Sequence, residues 1–129
     1  MSETFDSDDL RTVASAMREF EQRCAEILAL LGEKRSLSPF ERSEIEGRYR
    51  SLKADLKGAS KYGTLSGRRQ PLTRAEACFY DPAVRRAAVD LRPATNSHPI
   101  SSRWFSAVYE ARSEFSYWLH NLGELPNAP

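Results

Sequence analysis

The chain has 129 residues, 40% of them hydrophobic, and a net charge of +1. This length and apolar content suffice for one domain with its own core, so we expect a single helical domain over 1–129 with short flexible ends at 1–6 and 124–129. No apolar run approaches the roughly 18 residues that span a bilayer, and neither end resembles a targeting signal. We therefore expect a soluble, cytoplasmic protein without a membrane partner.

The chain lacks the motifs that define a catalytic or cofactor site. It contains no metal-ligand cluster, phosphate-binding loop or nucleophile constellation. Its two cysteines, Cys24 and Cys78, are too few for a disulfide framework or a zinc site and are expected to be reduced thiols. We therefore predict no cofactor and no metal.

Hydrophobic residues recur at steps of three and four along two long segments, the spacing that forms one stripe on an α-helix. The stripes consist of Leu10, Val13, Met17, Phe20, Cys24, Ile27 and Leu31, and of Ile45, Tyr49, Leu52, Leu56 and Ala59. Helices are predicted over 7–31 and 39–60. Because the connection is short, the two helices are expected to form an antiparallel hairpin with a coiled-coil-like seam.

Capping signals mark the ends of these two helices. Ser7 is the expected N-cap of the first helix, and Gly32 is expected to end it in the left-handed conformation. Ser38, Pro39 and Glu41 have the spacing of a capping box with proline at the first helical position. The second helix should therefore begin at Pro39.

Two short helices are predicted after the hairpin. Thr73 and Glu76 have the spacing of a second capping box, which begins a helix over 73–80. An aspartate-proline pair at 81–82 repeats the capping signal and predicts another helix over 82–91.

A long C-terminal helix is predicted over 102–122, with a third hydrophobic stripe. Its members are Trp104, Val108, Ala111, Phe115, Trp118 and Leu122. No strand-like alternation extends beyond a few residues, so the sequence predicts an all-α protein, a small helical bundle.

The C-terminal helix carries more aromatic residues than one stripe can hold. It contains six of the 13 aromatic residues of the chain. Phe105 and Tyr109 flank the stripe, and Tyr117 points away from it. This helix is either the centre of the bundle or shares its surface with a partner. We expect some of Phe105, Tyr109 and Tyr117 to remain exposed, and we predict these three residues as the interface for a protein partner or a second copy. That role is typical of a non-catalytic adaptor, inhibitor or regulatory subunit.

Charge is unevenly distributed along the chain and suggests an alternative function. Residues 1–46 contain 11 acidic and 6 basic residues, whereas residues 47–92 contain 4 acidic and 11 basic residues. A cationic surface of this kind is suited to a nucleic acid. The candidate contacts are Arg50, Lys53, Lys57, Lys61, Arg68, Arg69, Arg74, Arg85 and Arg86. The other interpretation is a solvated face, partly paired with Glu19, Glu21 and Glu26 across the hairpin.

A third interpretation is an enzyme whose site is assembled from loops. His98 lies in a proline-flanked loop with the small polar residues 95–97, and Arg68, Arg69 and Tyr80 are candidates to join it. The same loop residues are also suited to capping helix ends, which is the simpler interpretation. The sequence therefore leaves enzymatic activity open.

Overall fold

A computed structural model of the protein describes residues 5–32, 37–91, 102–126 and 128, with the backbone alone at 102 and 103. The described residues form α1 (Ser7–Leu31), α2 (Pro39–Tyr62), a π-helical turn (Glu76–Tyr80), α3 (Asp81–Leu91) and α4 (Ser102–Gly123), and no strand. The predicted all-α bundle is confirmed. Within these ranges, no helix is both long and apolar enough to cross a membrane.

The helices form a closed four-helix arrangement. Each helix packs against the next one in the chain, and α4 completes the bundle by packing against α1. Ion pairs from Arg23 to Asp55 (2.9 Å) and from Arg48 to Glu26 (3.1 Å) show that α1 and α2 are antiparallel. The direct contact between α1 and α2 is smaller than the contacts of α1 with α4 or of α2 with α3. The hairpin therefore depends on α3 and α4 for most of its packing.

The core is built from the predicted hydrophobic stripes. All four α-helices contribute fully buried side chains to it. The largest are Tyr49, Phe115, Leu10, Met17, Ile27, Ile45, Leu52, Leu56, Leu91, Leu122, Val13 and Val84. Burial of this apolar surface supplies the main driving force for folding.

Tyr49 joins three helices inside the core. Its ring stacks on that of Trp104 in α4, with 4.4 Å between the ring centroids. Its hydroxyl donates a 2.7 Å hydrogen bond to the carbonyl oxygen of Leu91, at the end of α3. Burial raises the pKa of Tyr49, so this hydroxyl keeps its proton.

The N-cap of α1 is Asp6, so the prediction of Ser7 was wrong. The carboxylate of Asp6 accepts hydrogen bonds from the amides of Asp8 and Asp9, at 2.8 and 3.2 Å. The backbone of Asp6 is extended (φ −67°, ψ 127°), and Ser7 is already helical. An aspartate in this position caps at least as well as serine, and the sequence places it one residue earlier.

The other helix ends are partly as predicted. Ser38 and Glu41 form the predicted capping box, with reciprocal hydrogen bonds of 3.1 Å. Gly32 ends α1 with φ 6° and ψ −129°, outside the left-handed conformation predicted for it, although its amide still donates to the carbonyl of Leu28. It is Gly63, after α2, that adopts the left-handed conformation (φ 72°).

The two predicted short helices join without an intervening cap. Asp81 has helical dihedral angles, and its amide donates to the carbonyl of Glu76, five residues earlier. The next residue is Pro82, which lacks an amide hydrogen and whose ring would clash with a carbonyl of the preceding α-helical turn. The wider π-helical turn accommodates the proline and lets the helix continue.

The loop between α2 and the π-helical turn is anchored by a buried carboxylate. Glu76 is 2% exposed and accepts hydrogen bonds from the amides of Leu65 (2.6 Å) and Thr73 (2.8 Å). The amide of Glu76 donates to the Thr73 hydroxyl, which confirms the second capping box. Thr64 donates to the carbonyl of Arg68 at 2.7 Å. This loop is therefore held in one conformation from both ends.

Replacing Leu52 with alanine should destabilise the protein by about 2–5 kcal/mol, because the side chain is fully buried and its removal leaves a cavity. Thermal or urea unfolding measures the change. Val89→Ala is the matched control: this side chain is 54% exposed, so the substitution should cost less than about 0.5 kcal/mol. Equal losses in the two variants would show that the α2 stripe is not core.

Candidate protein-interaction surface

The outward side of α4 carries three exposed aromatic rings, which we call the aromatic surface. Phe105 is 41% exposed, Tyr109 is 52% exposed and Tyr117 is 58% exposed. The sequence predicts that some of these rings stay exposed, and all three do. Their contact with a partner remains a hypothesis, because exposure alone does not show it.

Helix geometry explains why these rings cannot turn inward. Successive residues of an α-helix are about 100° apart, so one stripe faces the core and the residues between its members face outward. The inward stripe of α4 consists of Trp104, Val108, Ala111, Phe115 and Leu122, each at most 3% exposed. Because α4 packs against α1 on one flank and α3 on the other, its remaining side faces solvent.

The aromatic surface is locally organised. Phe105 and Tyr109 are one helical turn apart, and their rings stack with centroids 6.3 Å apart. Ser113 separates Tyr109 from Tyr117, and its hydroxyl donates to the Tyr109 carbonyl at 2.9 Å. Tyr117 contacts the edge of Trp118, with centroids 5.2 Å apart and nearly perpendicular planes. The surface therefore consists of an aromatic pair and a separate ring, with a small residue between them.

A groove of about 480 Å³ lies beside Tyr117, between α3 and α4. We call it the α3–α4 groove, and it is lined by Arg86, Ser113, Glu114, Tyr117 and Trp118. The indole nitrogen of Trp118 is inaccessible to solvent and has no hydrogen-bond partner among the described residues. The indole nitrogen of Trp104, in the core, is in the same state, so this isolation is not peculiar to the groove.

Asp90, on α3, gives this region a negative character. Burial, followed by the negative charges of Glu114 and Glu110, raises the pKa of Asp90 to about 6, while the positive charge of Arg86 opposes the rise. One oxygen of Asp90, Oδ2, is inaccessible to solvent and accepts no hydrogen bond from the described part of the chain. Burial is the main cause of the raised pKa, and the two glutamates each raise it by more than Arg86 lowers it.

The predicted basic residues lie on α2, on the segment that follows it and on α3, and one of them, Arg86, lines the α3–α4 groove. Eight of the nine are exposed, and Lys53 is half-buried. The exposed ones are Arg50, Lys57, Lys61, Arg68, Arg69, Arg74, Arg85 and Arg86. Arg85 is paired with Asp81 at 2.6 Å, and the cationic groups of Lys61 and Arg74 lie over aromatic rings, those of Tyr62 (5.4 Å) and Phe5 (5.3 Å).

Among the described residues, the acidic side chains of α1 form no ion pair with the basic stripe of α2, which consists of Arg50, Lys53, Lys57 and Lys61. Glu26 pairs with Arg48, and Glu21 accepts a hydrogen bond from Ser116 of α4. No ion pair joins Glu19 to α2 within the described ranges. Among the described residues, these three glutamates therefore form no ion pair with the nine candidate basic residues. The reason is the angular position of these residues around α2. Arg48 faces α1, as does Asp55, which binds Arg23, whereas the basic stripe lies on the opposite flank of α2.

The loop-assembled enzyme site predicted from the sequence remains a prediction. His98 lies outside the described residues. Burial raises the pKa of Cys24 to about 12, so its thiol is not a nucleophile at neutral pH. Among the described residues, no three histidine, cysteine, aspartate or glutamate side chains come together as a metal site.

Sequence reasoning found the three rings but missed the groove beside them. Asp90 and Trp118 are an ordinary charged residue and an ordinary stripe residue in the linear pattern. Their buried, unpaired atoms depend on how α3 lies against α4, which no local signal reports. Only the helical positions of Asp90 and Arg86, both beside the buried stripe of α3, hint at this arrangement.

Comparison with known proteins adds no relative. No protein-family profile, curated protein or solved structure matches this chain.

Replacing Asp90 with asparagine should stabilise the protein at pH 7. Because folding raises the pKa of Asp90 from 3.8 to about 6, the unfolded chain releases this proton more readily. The folded state is therefore stabilised by the protonated carboxyl of Asp90. This stabilisation is complete below the unfolded pKa and is lost as the pH rises through the folded pKa of about 6. The advantage of Asp90→Asn should therefore shrink from pH 7 to pH 5 and vanish near pH 3.5.

Unfolding measured at several pH values in that interval tests this expectation. Glu46→Gln on α2 is the matched control. An advantage of Asp90→Asn that does not change with pH would contradict the assignment of a raised pKa.

Proposed function

We propose that this protein functions through protein–protein interaction, as a small helical adaptor, inhibitor or regulatory subunit, with the aromatic surface of α4 as its contact face. The observation that carries this proposal is the exposure of Phe105, Tyr109 and Tyr117 in a bundle whose four helices already bury their core stripes. The surplus rings are therefore not needed to complete the core.

The chemistry of the three rings supports this role. Tyrosine is enriched at the points of interfaces that contribute most to affinity, because one side chain offers a large apolar area and a hydrogen-bonding hydroxyl. Two of the three rings are tyrosines, and Ser113 between them permits close approach of a partner backbone. Either another protein or a second copy of this chain satisfies these requirements.

Substituting serine for both Tyr109 and Tyr117 should abolish partner binding and leave folding intact. Both rings are more than half exposed, so the unfolding free energy should change by less than about 0.5 kcal/mol per site. Affinity capture from the native cell, quantified against the wild type, measures the loss of partners. Light scattering on the purified chain shows whether the partner is a second copy.

Phe40→Ser is the matched control, because Phe40 is an exposed aromatic residue (77%) at the start of α2, outside the aromatic surface. It should retain the partners of the wild type. If the tyrosine variant captures the same proteins as the wild type and has the same oligomeric state, the aromatic surface is not the contact face.

A second candidate function is binding of a nucleic acid by the basic side of α2 and the loop that follows it. The observation in its favour is that Arg50, Lys57, Arg68 and Arg69 are exposed and make no ion pair with the described residues. The loop that carries two of these arginines is anchored through Glu76, so their positions are fixed before a ligand arrives.

Changing Lys57 and Lys61 together to glutamate should abolish binding to an RNA or DNA oligonucleotide. In the wild type, affinity should fall steeply with salt, because each phosphate contact releases counterions. Fluorescence anisotropy at several salt concentrations measures this. Arg18→Glu with Arg112→Glu is the control for net charge, since both arginines are exposed on other faces. No binding at low salt would exclude this function.

A further inference from the structure

We infer that the partner docking on the aromatic surface is a protein with a basic segment, and that a lysine or arginine of that segment enters the α3–α4 groove. This inference rests on the proposed function and adds the chemistry of the partner. It depends on two features: the charge of the groove and the ring at its edge.

The charge of the groove favours a cation. Glu114 lines it, and Glu110 and Asp90 lie close enough to Glu114 for the three carboxylates to influence one another, against the single guanidinium of Arg86. A partner cation would relieve repulsion among these carboxylates. An anionic side chain would add to it, so the groove distinguishes the two by charge.

The ring at the edge of the groove also favours a cation. Tyr117 is 58% exposed, so much of its ring remains available to a partner. A lysine or arginine over a tyrosine face is attracted by the π electrons. The protein uses the same contact elsewhere, where Lys61 lies 5.4 Å from the centroid of Tyr62.

The state of its carboxylate distinguishes this groove from two others. Grooves of about 320 and 300 Å³ lie beside α1 and are both lined by Arg23. Arg23 is already paired with Asp55, and Glu26, in the first of these grooves, is paired with Arg48. In the α3–α4 groove, by contrast, Glu114 forms no ion pair with another described residue.

A second copy fits this surface less well than a basic partner. Two antiparallel copies of α4 related by a two-fold axis at Ser113 would bring Tyr109 of each copy onto Tyr117 of the other. The same axis places equivalent flanks of the two helices together. Glu110 and Glu114 would then face the same carboxylates of the other copy, which is unfavourable at an interface.

Two synthetic amphipathic helical peptides test the inference. They share one pattern of leucines and carry lysine in one peptide and glutamate in the other at every polar position. Isothermal titration calorimetry gives the affinities, and the NMR signal of the Trp118 indole N–H reports on the groove. We expect the lysine peptide to bind roughly tenfold more tightly and to shift that signal.

The double variant Asp90→Asn and Glu114→Gln should reduce the difference between the peptides to about twofold, since it removes two of the three carboxylates. Glu46→Gln with Glu124→Gln is the matched control and should leave the preference unchanged. If the double variant keeps the full preference for lysine, the cation does not bind in the groove.

Three further outcomes would overturn the inference. These are equal binding of both peptides, tighter binding of the glutamate peptide, and no shift of the Trp118 indole signal at millimolar lysine peptide. A stable dimer of the purified chain through α4 would also overturn it. None of the peptide results decides the proposed function, because the capture experiment with the Tyr109 and Tyr117 variant tests that function separately.

Discussion

The contacts of Tyr49 join α2, α3 and α4, and the closure of the bundle against α1 depends on them. This residue packs its ring on Trp104 of α4, and its hydroxyl donates a hydrogen bond to the last carbonyl of α3. The free carbonyls at a helix C-terminus need partners, and here a core side chain supplies one. Because α2, α3 and α4 meet at Tyr49, the short helix α3 is fixed between its longer neighbours, and α4 is positioned to close the bundle against α1.

Closure of the bundle gives α4 its two different sides. The inward side supplies the large core residues Trp104 and Phe115, and Phe115 stacks on Phe20 of α1 with centroids 5.4 Å apart. None of the described helices covers the outward side. The position of α3 also separates the charges, because its contact with α4 gathers carboxylates around Asp90 while the basic stripe of α2 lies on another face. The two candidate binding functions therefore belong to different faces of one small domain.

Much of the fold could be predicted from sequence because its signals are local. The hydrophobic stripes gave the long helices, and the capping box at Ser38 gave the start of α2 to the residue. The errors occurred where two local signals competed. Asp6 and Ser7 are both good caps, and the sequence alone does not rank them. The aspartate-proline pair at 81–82 begins a helix in isolation, but a π-helical turn let the preceding helix continue through it.

Less of the candidate site could be predicted, because it depends on tertiary contacts. The exposure of Tyr109 and Tyr117 follows from counting aromatic residues against the width of one stripe, so the sequence was sufficient. The ion pairs between α1 and α2 follow from the rotation of each helix about its own axis. Glu26 therefore pairs with Arg48 and not with the basic stripe. The groove beside Trp118 required the position of α3, which no periodicity encodes.

The central claim is that the bundle is complete without the aromatic surface. Fluorine NMR of the monomer labelled with 3-fluorotyrosine, in the presence of a soluble gadolinium chelate, tests this claim most directly. Tyr49 and Tyr80 are at most 4% exposed, so their signals should stay sharp. The signals of Tyr109 and Tyr117 should broaden strongly. Protection of Tyr109 and Tyr117 in the monomer, or broadening of Tyr49, would show that the core and the surface of α4 have been assigned incorrectly.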